Sequence, residues 1–317
     1  MTPVKQAPAS AVVFAYHDIG VRCLEALLEL GVEVRLVVTH LDSESEQIWF
    51  ESVSEHAKRN GIPVITPGSP NAQAVIQQVE AYAPDFIFSF YYRQMLSAEL
   101  LAVPAIGAFN LHGSLLPKYR GRVPVNWAII HGEEFCGVSL HQMVSKPDAG
   151  DLFAQKAVPI LSNDTAFDVF QKLKCVAELL LTVVVPGLMS RQLTGETMDL
   201  DSGSYFGGRK PEDGLINWEW SAHDIHNLIR AVAPPFPGAF FEMGGHRVDI
   251  LLSHIRGEKS CFAEPCIYLE DGQFYADCTD GYRFMIVEMN IDGQKADQVM
   301  FRRVFGSRLR LNPANKP

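Results

Sequence analysis

The stretch AVVFAYH, residues 11–17, is a short apolar and aromatic run of the kind that forms a strand buried on both faces of a sheet. An amphipathic stretch that ends before Gly31 follows it, and the same alternation repeats along the N-terminal part of the chain. Further β-like runs lie at 32–40, 63–67, 86–92 and 107–114, and helices are predicted over 47–60 and 71–82. The pattern favours an α/β domain with a Rossmann-like, mostly parallel sheet and helices on both faces.

The remainder of the chain predicts how this domain closes and a second domain begins. Runs at 136–143 and 151–160 predict a strand pair, and a long helix is expected over 165–190. Between Thr194 and Gly214 the composition shifts to Gly, Ser, Asp and Lys, which indicates a linker. A helix at 221–232 and several short β-like runs then predict a smaller C-terminal β-barrel, OB-like in form. The expected domains are residues 1–200 and 210–317.

Bulk properties restrict the class of protein. The 317 residues carry a net charge of -10, which repels polyanions, so no nucleic-acid partner is expected. The opening residues do not resemble a secretory signal, and the longest apolar run, 177–189, falls short of the roughly 20 residues that cross a bilayer. Six cysteines occur without a CxxC pair: Cys23, Cys136, Cys175, Cys261, Cys266 and Cys278. A cytoplasmic protein with reduced thiols and no membrane span is therefore expected.

Several common motifs are missing from the sequence. The first strand-to-helix turn, FAYHDIG, has one glycine and no GxGxxG, which disfavours NAD and FAD as cofactors. No P-loop, zinc-protease or serine-hydrolase pattern occurs either. His223 and His226 lie three apart on a predicted helix, but without a third ligand nearby a surface or cap role is favoured over metal binding. No metal is expected.

The polar residues with the clearest chemical meaning begin toward the C-terminal end of the run at 107–114. Asn110 and His112 are two apart on an extended segment, so their side chains share one face. An amide can donate to a developing oxyanion, an imidazole can move protons near neutral pH, and Asp148 could raise the basicity of that imidazole. The spacing leaves a second interpretation open, in which all three are turn residues or hydrogen-bonded structural groups.

The segments FNLHGSLLPKYRG (109–121) and MVSKPDAGD (143–151) together resemble the folate-dependent formyltransferases, whose pattern is Asn-x-His-x-Ser-Leu-Leu-Pro followed by Asp-x-Gly. The resemblance covers essentially the full chain and is closest to the formyltransferase domains of bifunctional polymyxin-resistance proteins. It implies 10-formyltetrahydrofolate as co-substrate, Asn110 as transition-state stabiliser, His112 as proton-transfer residue and Asp148 as the group that raises the His112 pKa. It also implies a folate site lined by Gln94, Met95, Leu96, Arg122, Val144, Ser145, Lys146, Pro147 and Asp148.

The acceptor that this resemblance implies is a nucleotide-linked amino sugar, UDP-4-amino-4-deoxy-L-arabinose, formylated in lipid A modification. The polymyxin-resistance proteins continue into a dehydrogenase-decarboxylase domain that this sequence lacks, so formylation alone is expected. Gly113 replaces the proline of other branches, in agreement with this branch. Arg209 and Lys210 are either pyrophosphate contacts or solvated linker residues.

Two alternative functions remain. Methionyl-tRNA formyltransferases share the motif but need a cationic surface, whereas the loop at 39–50 carries Asp42, Glu44 and Glu46. A non-catalytic folate-binding module is the second alternative, and the presence of all three motif side chains disfavours it. The sequence leaves the oligomeric state open.

Overall fold

The computed structural model describes residues 8–42 and 48–311. Contacts among them divide the chain into two compact units. The first comprises the chain up to Pro124, Cys136–Val158 and Gln171–Gly207, and the second comprises Val125–Phe135, Pro159–Phe170 and the chain from Gly208 onward. Two short segments from the N-terminal half thus group with the C-terminal part. The predicted division into residues 1–200 and 210–317 stays a prediction.

The first unit is built on a seven-stranded sheet, and its mostly parallel, Rossmann-like character is confirmed. Its strands are β1 (Ser10–Ala15), β2 (Glu33–Val38), β3 (Val64–Ile65), β4 (Phe86–Phe90), β5 (Gly107–His112), β7 (Phe135–Gln142) and β8 (Leu152–Pro159), in the order β3-β2-β1-β4-β5-β7-β8. The pairs from β3 to β5 are parallel, whereas β5 and β7 are antiparallel. The parallel strands therefore end at one edge, where polar side chains of β5 and its neighbours can meet.

Helices accompany these strands as the alternating pattern predicted. They are α1 (His17–Glu29), α2 (Val53–Arg59), α3 (Gln73–Ala81), α4 (Ala98–Leu101) and most of α6 (Ala166–Met189), whereas α5 (Pro124–Ile130) falls almost wholly within the second unit. The prediction of a helix from residue 47 is wrong at its start, because Ser52 is the N-cap of α2 and its side chain accepts from the backbone N–H of Glu55. Within 8–42 and 48–311, no helix combines the length and apolarity needed to cross a membrane.

The central strands of this sheet explain the continuous apolar runs. Every residue of β1 and of β4 is buried. Phe88 of β4 stacks on Phe86 and Phe90, with ring centroids 5.4 and 5.7 Å apart. A strand covered by helices on both faces has no solvent side on which to place polar residues, so its sequence does not alternate.

The second unit carries an antiparallel sheet in the order β10-β11-β14-β13-β12-β16, with β15 beside β14. Its elements are α7 (Ala222–Ala231), β10 (Ala239–Met243), β11 (His246–Lys259), β12 (Cys266–Glu270), β13 (Gln273–Asp277), β14 (Tyr282–Ile291), β15 (Gln294–Lys295), α8 (Gln298–Phe305) and β16 (Arg308–Arg310). The predicted small barrel takes the form of a curled sheet with β10 and β16 at its ends. Helix α8, which the sequence analysis missed, begins at Asp297, whose side chain accepts from the N–H of Met300.

The surface or cap role predicted for the two histidines of α7 is wrong for His226. This side chain is fully buried, with Nε2 2.9 Å from the carbonyl oxygen of Ser162 and Nδ1 2.8 Å from the hydroxyl of Ser253. A carbonyl oxygen only accepts, so Nε2 carries the proton and Nδ1 accepts from Ser253. His223 is exposed. Three-residue spacing placed the two side chains close to one face, but the packing of β11 and of residues 159–170 decided which one is covered.

Burial of His226 predicts a pH-dependent stability. Burial lowers the pKa of His226 to about 4, against the raising effect of its bond to Ser162. As the pH falls from about 6.5 to 4, His226 becomes protonated in the unfolded chain but stays neutral in the folded chain. The free energy of unfolding therefore decreases over this range. We expect a loss of up to about 3 kcal/mol in the free energy of unfolding, measured by urea titration. Other groups also titrate in this pH range, so the free energy of unfolding of wild type is compared with that of a His226→Asn variant at each pH. The free energy of unfolding of the variant should fall less steeply as the pH decreases. His223→Asn is the control, and parallel curves for wild type and His226→Asn would contradict the expectation.

Part of the segment predicted as a linker is structured within the first unit. The 3₁₀ turn Leu200–Ser202 and β9 (Tyr205–Phe206) lie in that unit, and a second 3₁₀ turn, Pro211–Gly214, lies in the second unit. Strand β9 pairs in parallel with β6 (Arg120–Gly121). The polar composition predicted an unstructured linker. It gave no sign of β9, because a short strand held by backbone hydrogen bonds leaves no apolar periodicity in the sequence.

Candidate active site

The structure brings together the three side chains predicted to be catalytic. Asn110 and His112 project from the end of β5, and Asp148 lies in the turn after β7 with φ of +47°. A single oxygen of Asp148, Oδ1, lies 3.4 Å from Nδ2 of Asn110 and 3.5 Å from Nδ1 of His112. An amide, an imidazole and a carboxylate therefore converge at the carboxyl edge of the parallel strands.

The ring of His112 is held in one tautomer. Its Nε2 lies 2.8 Å from the carbonyl oxygen of Tyr119, which requires an N–H at that atom. In the neutral imidazole Nδ1 then carries the lone pair. Burial lowers the pKa of His112, and the opposing attraction of Asp148 does not cancel this effect. The residue is thus a neutral base near pH 7, with Nδ1 as the atom that can take a proton.

Asp148 is placed to stabilise that proton. Its Oδ2 accepts from the backbone N–H of Gly121 at 2.9 Å, and its side chain is 13 % exposed. Burial raises the pKa of Asp148, but the attraction of the His112 ring and the Gly121 bond outweigh it, so the net pKa lies below the usual range. An ionised carboxylate therefore faces Nδ1 of His112 and favours the imidazolium once it forms.

A fourth residue, His141, belongs to this cluster and was missed by the sequence analysis. It is buried on β7 and is the register partner of Asn110. Its Nδ1 lies 2.8 Å from the carbonyl oxygen of Gln142 and so donates, which leaves Nε2 as an acceptor 3.1 Å from Nδ2 of Asn110. The histidine stands in the predicted strand CGVSLHQM, but only the antiparallel register of β5 and β7 places it beside the amide.

These contacts orient the Asn110 amide. Nε2 of His141 and Oδ1 of Asp148 are 3.4 Å apart, and both lie on the Nδ2 side of the amide. The angle at Nδ2 between the directions to these two acceptors is smaller than the angle between the two N–H bonds of an amide. One N–H that points between the acceptors can therefore donate to both. The second N–H is then free to donate to a carbonyl oxygen that enters the site.

The predicted folate residues after β4 lie on a loop fixed by Asn71. The Asn71 side chain donates to the carbonyl oxygen of Met95 at 2.9 Å and accepts from the N–H of Ser97 at 2.7 Å. Leu96 is buried in the core cluster on which Met143 packs, whereas Gln94 and Met95 are exposed. The loops after β4 and after β7 thus share packing at this edge of the sheet.

The remaining predicted folate residues lie at the surface of the first unit. Arg122, Val144, Ser145 and Lys146 are exposed, and Pro147 is half-buried before Asp148. Gly150 closes this turn so tightly that a Cβ there would collide with the carbonyl oxygen of Gln142.

Arg209 and Lys210 belong to the second unit, where both bond to Asp213 and Arg209 lies over the ring of Trp127 at 4.7 Å.

The glycine at position 113, directly after His112, has a steric reason. A Cβ on Gly113 would collide with the hydroxyl oxygen of Tyr91 and lie 3.0 Å from its Cζ. A proline, which other branches of the family carry at this position, therefore needs a different neighbour than Tyr91. Gly113 and Tyr91 form a matched pair.

The variant Gly113→Ala is expected to lower the free energy of unfolding by about 1 to 3 kcal/mol, because the added methyl must displace a packed ring. Denaturant titration measures the change. The double variant Tyr91→Phe/Gly113→Ala removes the colliding oxygen and should recover part of the loss relative to Tyr91→Phe alone. An additive double variant would show that the two residues do not compete for this space.

Two family models and several solved structures are similar to this chain. Residues 19–185 match the formyl transferase family and residues 209–300 match the formyl transferase C-terminal domain. A similar solved structure is an N-formyltransferase from Helicobacter canadensis in complex with folinic acid and dTDP-3-aminofucose, with 23% identity, coverage of 91% of this chain and 100% of that one, and a TM-score of 0.70.

Two further solved structures have the same fold. The sugar 3N-formyltransferase WlaRD, crystallised with dTDP and 5-N-formyl-THF, shares 20% identity over 92% of this chain and 100% of its own, with a TM-score of 0.68. A 4-N formyltransferase from Francisella tularensis shares 20% identity over 78% of this chain and 98% of its own, with a TM-score of 0.64. The family matches on both parts of the sequence, over the fold described above, lead to one conclusion: this chain is a member of the formyl transferase family.

Proposed function

We propose that this enzyme transfers a formyl group from 10-formyltetrahydrofolate to the amine of a nucleotide-linked amino sugar, with UDP-4-amino-4-deoxy-L-arabinose as the acceptor. The observation that supports the chemistry is the convergence of Asn110, His112 and Asp148 on one carboxylate oxygen. An amide donor, a neutral imidazole and a carboxylate are the groups that acyl transfer to an amine requires.

Each of the three side chains has a defined role in the proposed reaction. The neutral amine attacks the formyl carbon, a C–N bond forms, and the carbonyl electrons move onto oxygen, where the free N–H of Asn110 donates to the oxyanion. Nδ1 of His112 takes the proton that the amine loses, and Asp148 stabilises the imidazolium. When the bond to the folate nitrogen breaks, that nitrogen leaves with the electron pair and receives the proton from His112.

The proposed folate site is the edge formed by the loops after β4 and β7. Leu96 belongs to the core cluster on which Met143 packs, and Met95 and Val144 expose 49% and 38% of their surface, which offers apolar contact to a flat ring. Polar recognition of such a ring would then fall to backbone groups. The carbonyl oxygen of Met95 already accepts from Asn71, so the loop is held in place before any ligand binds.

The proposed acceptor rests on the sequence resemblance and on what similar structures contain. Two of them are described with a dTDP-linked sugar or with dTDP itself. The resemblance to the formyltransferase domain of the polymyxin-resistance protein ArnA narrows the proposal to the UDP-linked 4-amino sugar and to lipid A modification. The six cysteines lie within the described residues and form no disulfide there, which suits the cytoplasmic location that we propose with it.

Methionyl-tRNA formyltransferase is the alternative acceptor class. In the loop after β2, Asp42 accepts a 2.7 Å hydrogen bond from the Tyr16 hydroxyl, which holds an acidic group at this position. Glu44 and Glu46 lie outside the described residues. A carboxylate fixed here would repel the phosphate backbone of a tRNA laid against this loop, and this disfavours the tRNA as acceptor.

A coupled assay with 10-formyltetrahydrofolate and a panel of nucleotide amino sugars tests the proposal. Turnover is expected with UDP-4-amino-4-deoxy-L-arabinose, and charged initiator tRNA is included as a competitor. Turnover on the tRNA alone would overturn the acceptor assignment. Saturable folate binding without transfer to any amine would instead support the non-catalytic binding module.

A further inference from the structure

Residues 203–206, here called the latch segment, run beside the loop that follows the catalytic strand. Ser204 contacts that loop three times. Its N–H donates to the carbonyl oxygen of Pro117 at 3.2 Å, its carbonyl oxygen accepts from the N–H of Arg120 at 3.0 Å, and its hydroxyl oxygen accepts from the N–H of Tyr119 at 2.8 Å. Both backbone groups and the side chain of one serine are thus committed to residues 117–120.

Phe206 extends this attachment by two residues. Its carbonyl oxygen accepts from the N–H of Arg122 at 2.9 Å, and its ring stacks on that of Tyr119 with centroids 5.4 Å apart. Gly121 has φ of +97°, and a Cβ there would collide with the carbonyl oxygen of Phe206. The close approach of the two strands therefore requires glycine at this position.

The loop held by the latch segment contacts both ionisable catalytic residues through its backbone. The carbonyl oxygen of Tyr119 accepts from Nε2 of His112 at 2.8 Å, and the N–H of Gly121 donates to Oδ2 of Asp148 at 2.9 Å. Tyr119 is bonded to Ser204 by its N–H and to His112 by its carbonyl group. Two hydrogen bonds thus separate the Ser204 hydroxyl from the imidazole ring.

We propose that the latch segment positions His112 and Asp148 for formyl transfer, with the Ser204 hydroxyl as a positioning group that acts through Tyr119. The inference rests on the catalytic roles proposed above. If the Tyr119 carbonyl shifts, Nε2 loses the acceptor that holds its proton, and Nδ1 no longer presents its lone pair in a fixed direction. Small displacements of a reacting group cost up to about a hundredfold in rate.

The test compares Ser204→Val with Ser204→Thr, two side chains of nearly equal shape of which only threonine keeps the hydroxyl acceptor. The valine variant should lose about tenfold to a hundredfold in kcat with KM for both substrates nearly unchanged, and the threonine variant should recover most of it. Ser202→Val is the matched control, because Ser202 is exposed and its hydroxyl donates to the carbonyl oxygen of Asp199, outside the loop at 117–122. Thermal unfolding of each variant measures any loss of folding.

A second measurement needs no substrate. The ¹⁵N shifts of the His112 ring report which nitrogen carries the proton, and they should change in Ser204→Val but not in Ser204→Thr or Ser202→Val. The titratable groups that face this ring are Asp148 and His141, and all three variants leave both in place. A structural role alone would lower the unfolding temperature without moving the tautomer.

The outcomes separate this inference from the proposed function. Suppose that wild type transfers formyl and that Ser204→Val has the wild-type kcat and the wild-type ring shifts of His112. This result would overturn the role of the latch segment and leave the proposed function intact. Changed ring shifts in an enzyme that transfers formyl to no amine support the positioning contact and overturn the proposed reaction.

Discussion

Replacement of His112 by alanine is expected to lower kcat for formyl transfer by about 10² to 10⁴, the range found when a general acid-base is removed. Among the described side chains that contact Asp148, His141 is the other imidazole, but its Nε2 lone pair already accepts from Nδ2 of Asn110, so it is not placed to replace His112. The amine would then have to lose its proton to water inside a buried site. Steady-state assays with 10-formyltetrahydrofolate and the accepted amine measure the change.

The pH dependence gives this prediction a second readout. His112 must be neutral to accept a proton, and burial lowers its pKa, so wild-type kcat should fall only as the pH drops below about 6.5, the ordinary histidine value. The variant should lack this acidic limb. His223→Ala, at an exposed position of α7, is the control and should match wild type. An alanine variant at position 112 with full turnover would remove the basis of the mechanism.

Replacement of Asn110 by alanine is expected to lower kcat by about 10² to 10³, the usual effect of losing one oxyanion donor. The donor acts on charge that develops in the transition state, so KM for the folate should change little. Asn60→Ala, at the exposed end of α2 where the amide bonds to the His56 carbonyl, serves as the matched control.

The Asn110 variant also separates two roles of the amide. Besides the expected oxyanion contact, Nδ2 lies near His141 and Asp148, and alanine leaves both without that donor. If the loss came from this rearrangement alone, His141→Ala combined with Asn110→Ala would be no worse than the single Asn110→Ala, and His141→Ala alone would reproduce the defect. A small effect of His141→Ala beside a large effect of Asn110→Ala supports direct donation to the oxyanion.

The secondary structure of the first unit could be predicted well because its central strands are continuous apolar runs that stand out from the rest of the sequence. Strands β1 and β4 are buried on both faces and appear as unbroken apolar runs, and the predicted helix over 165–190 corresponds to α6 within one residue at each end. Predictions failed where a single local contact sets the boundary. The start of α2 depends on the Ser52 cap, and helix α8 is a short helix that begins at the Asp297 cap.

The sequence by itself determined the alternating strands and helices, the period of two that puts Asn110 and His112 on one face, and the family to which the motif points. Each of these depends on composition or spacing within a few residues. The tertiary structure alone decided that β7 runs antiparallel to β5, which brings His141 to the amide, and that residues 203–206 reach back to the loop at 117–122. Contacts between residues 31 to 85 positions apart leave no periodic trace in a single sequence, because no fixed spacing along the chain relates the two partners.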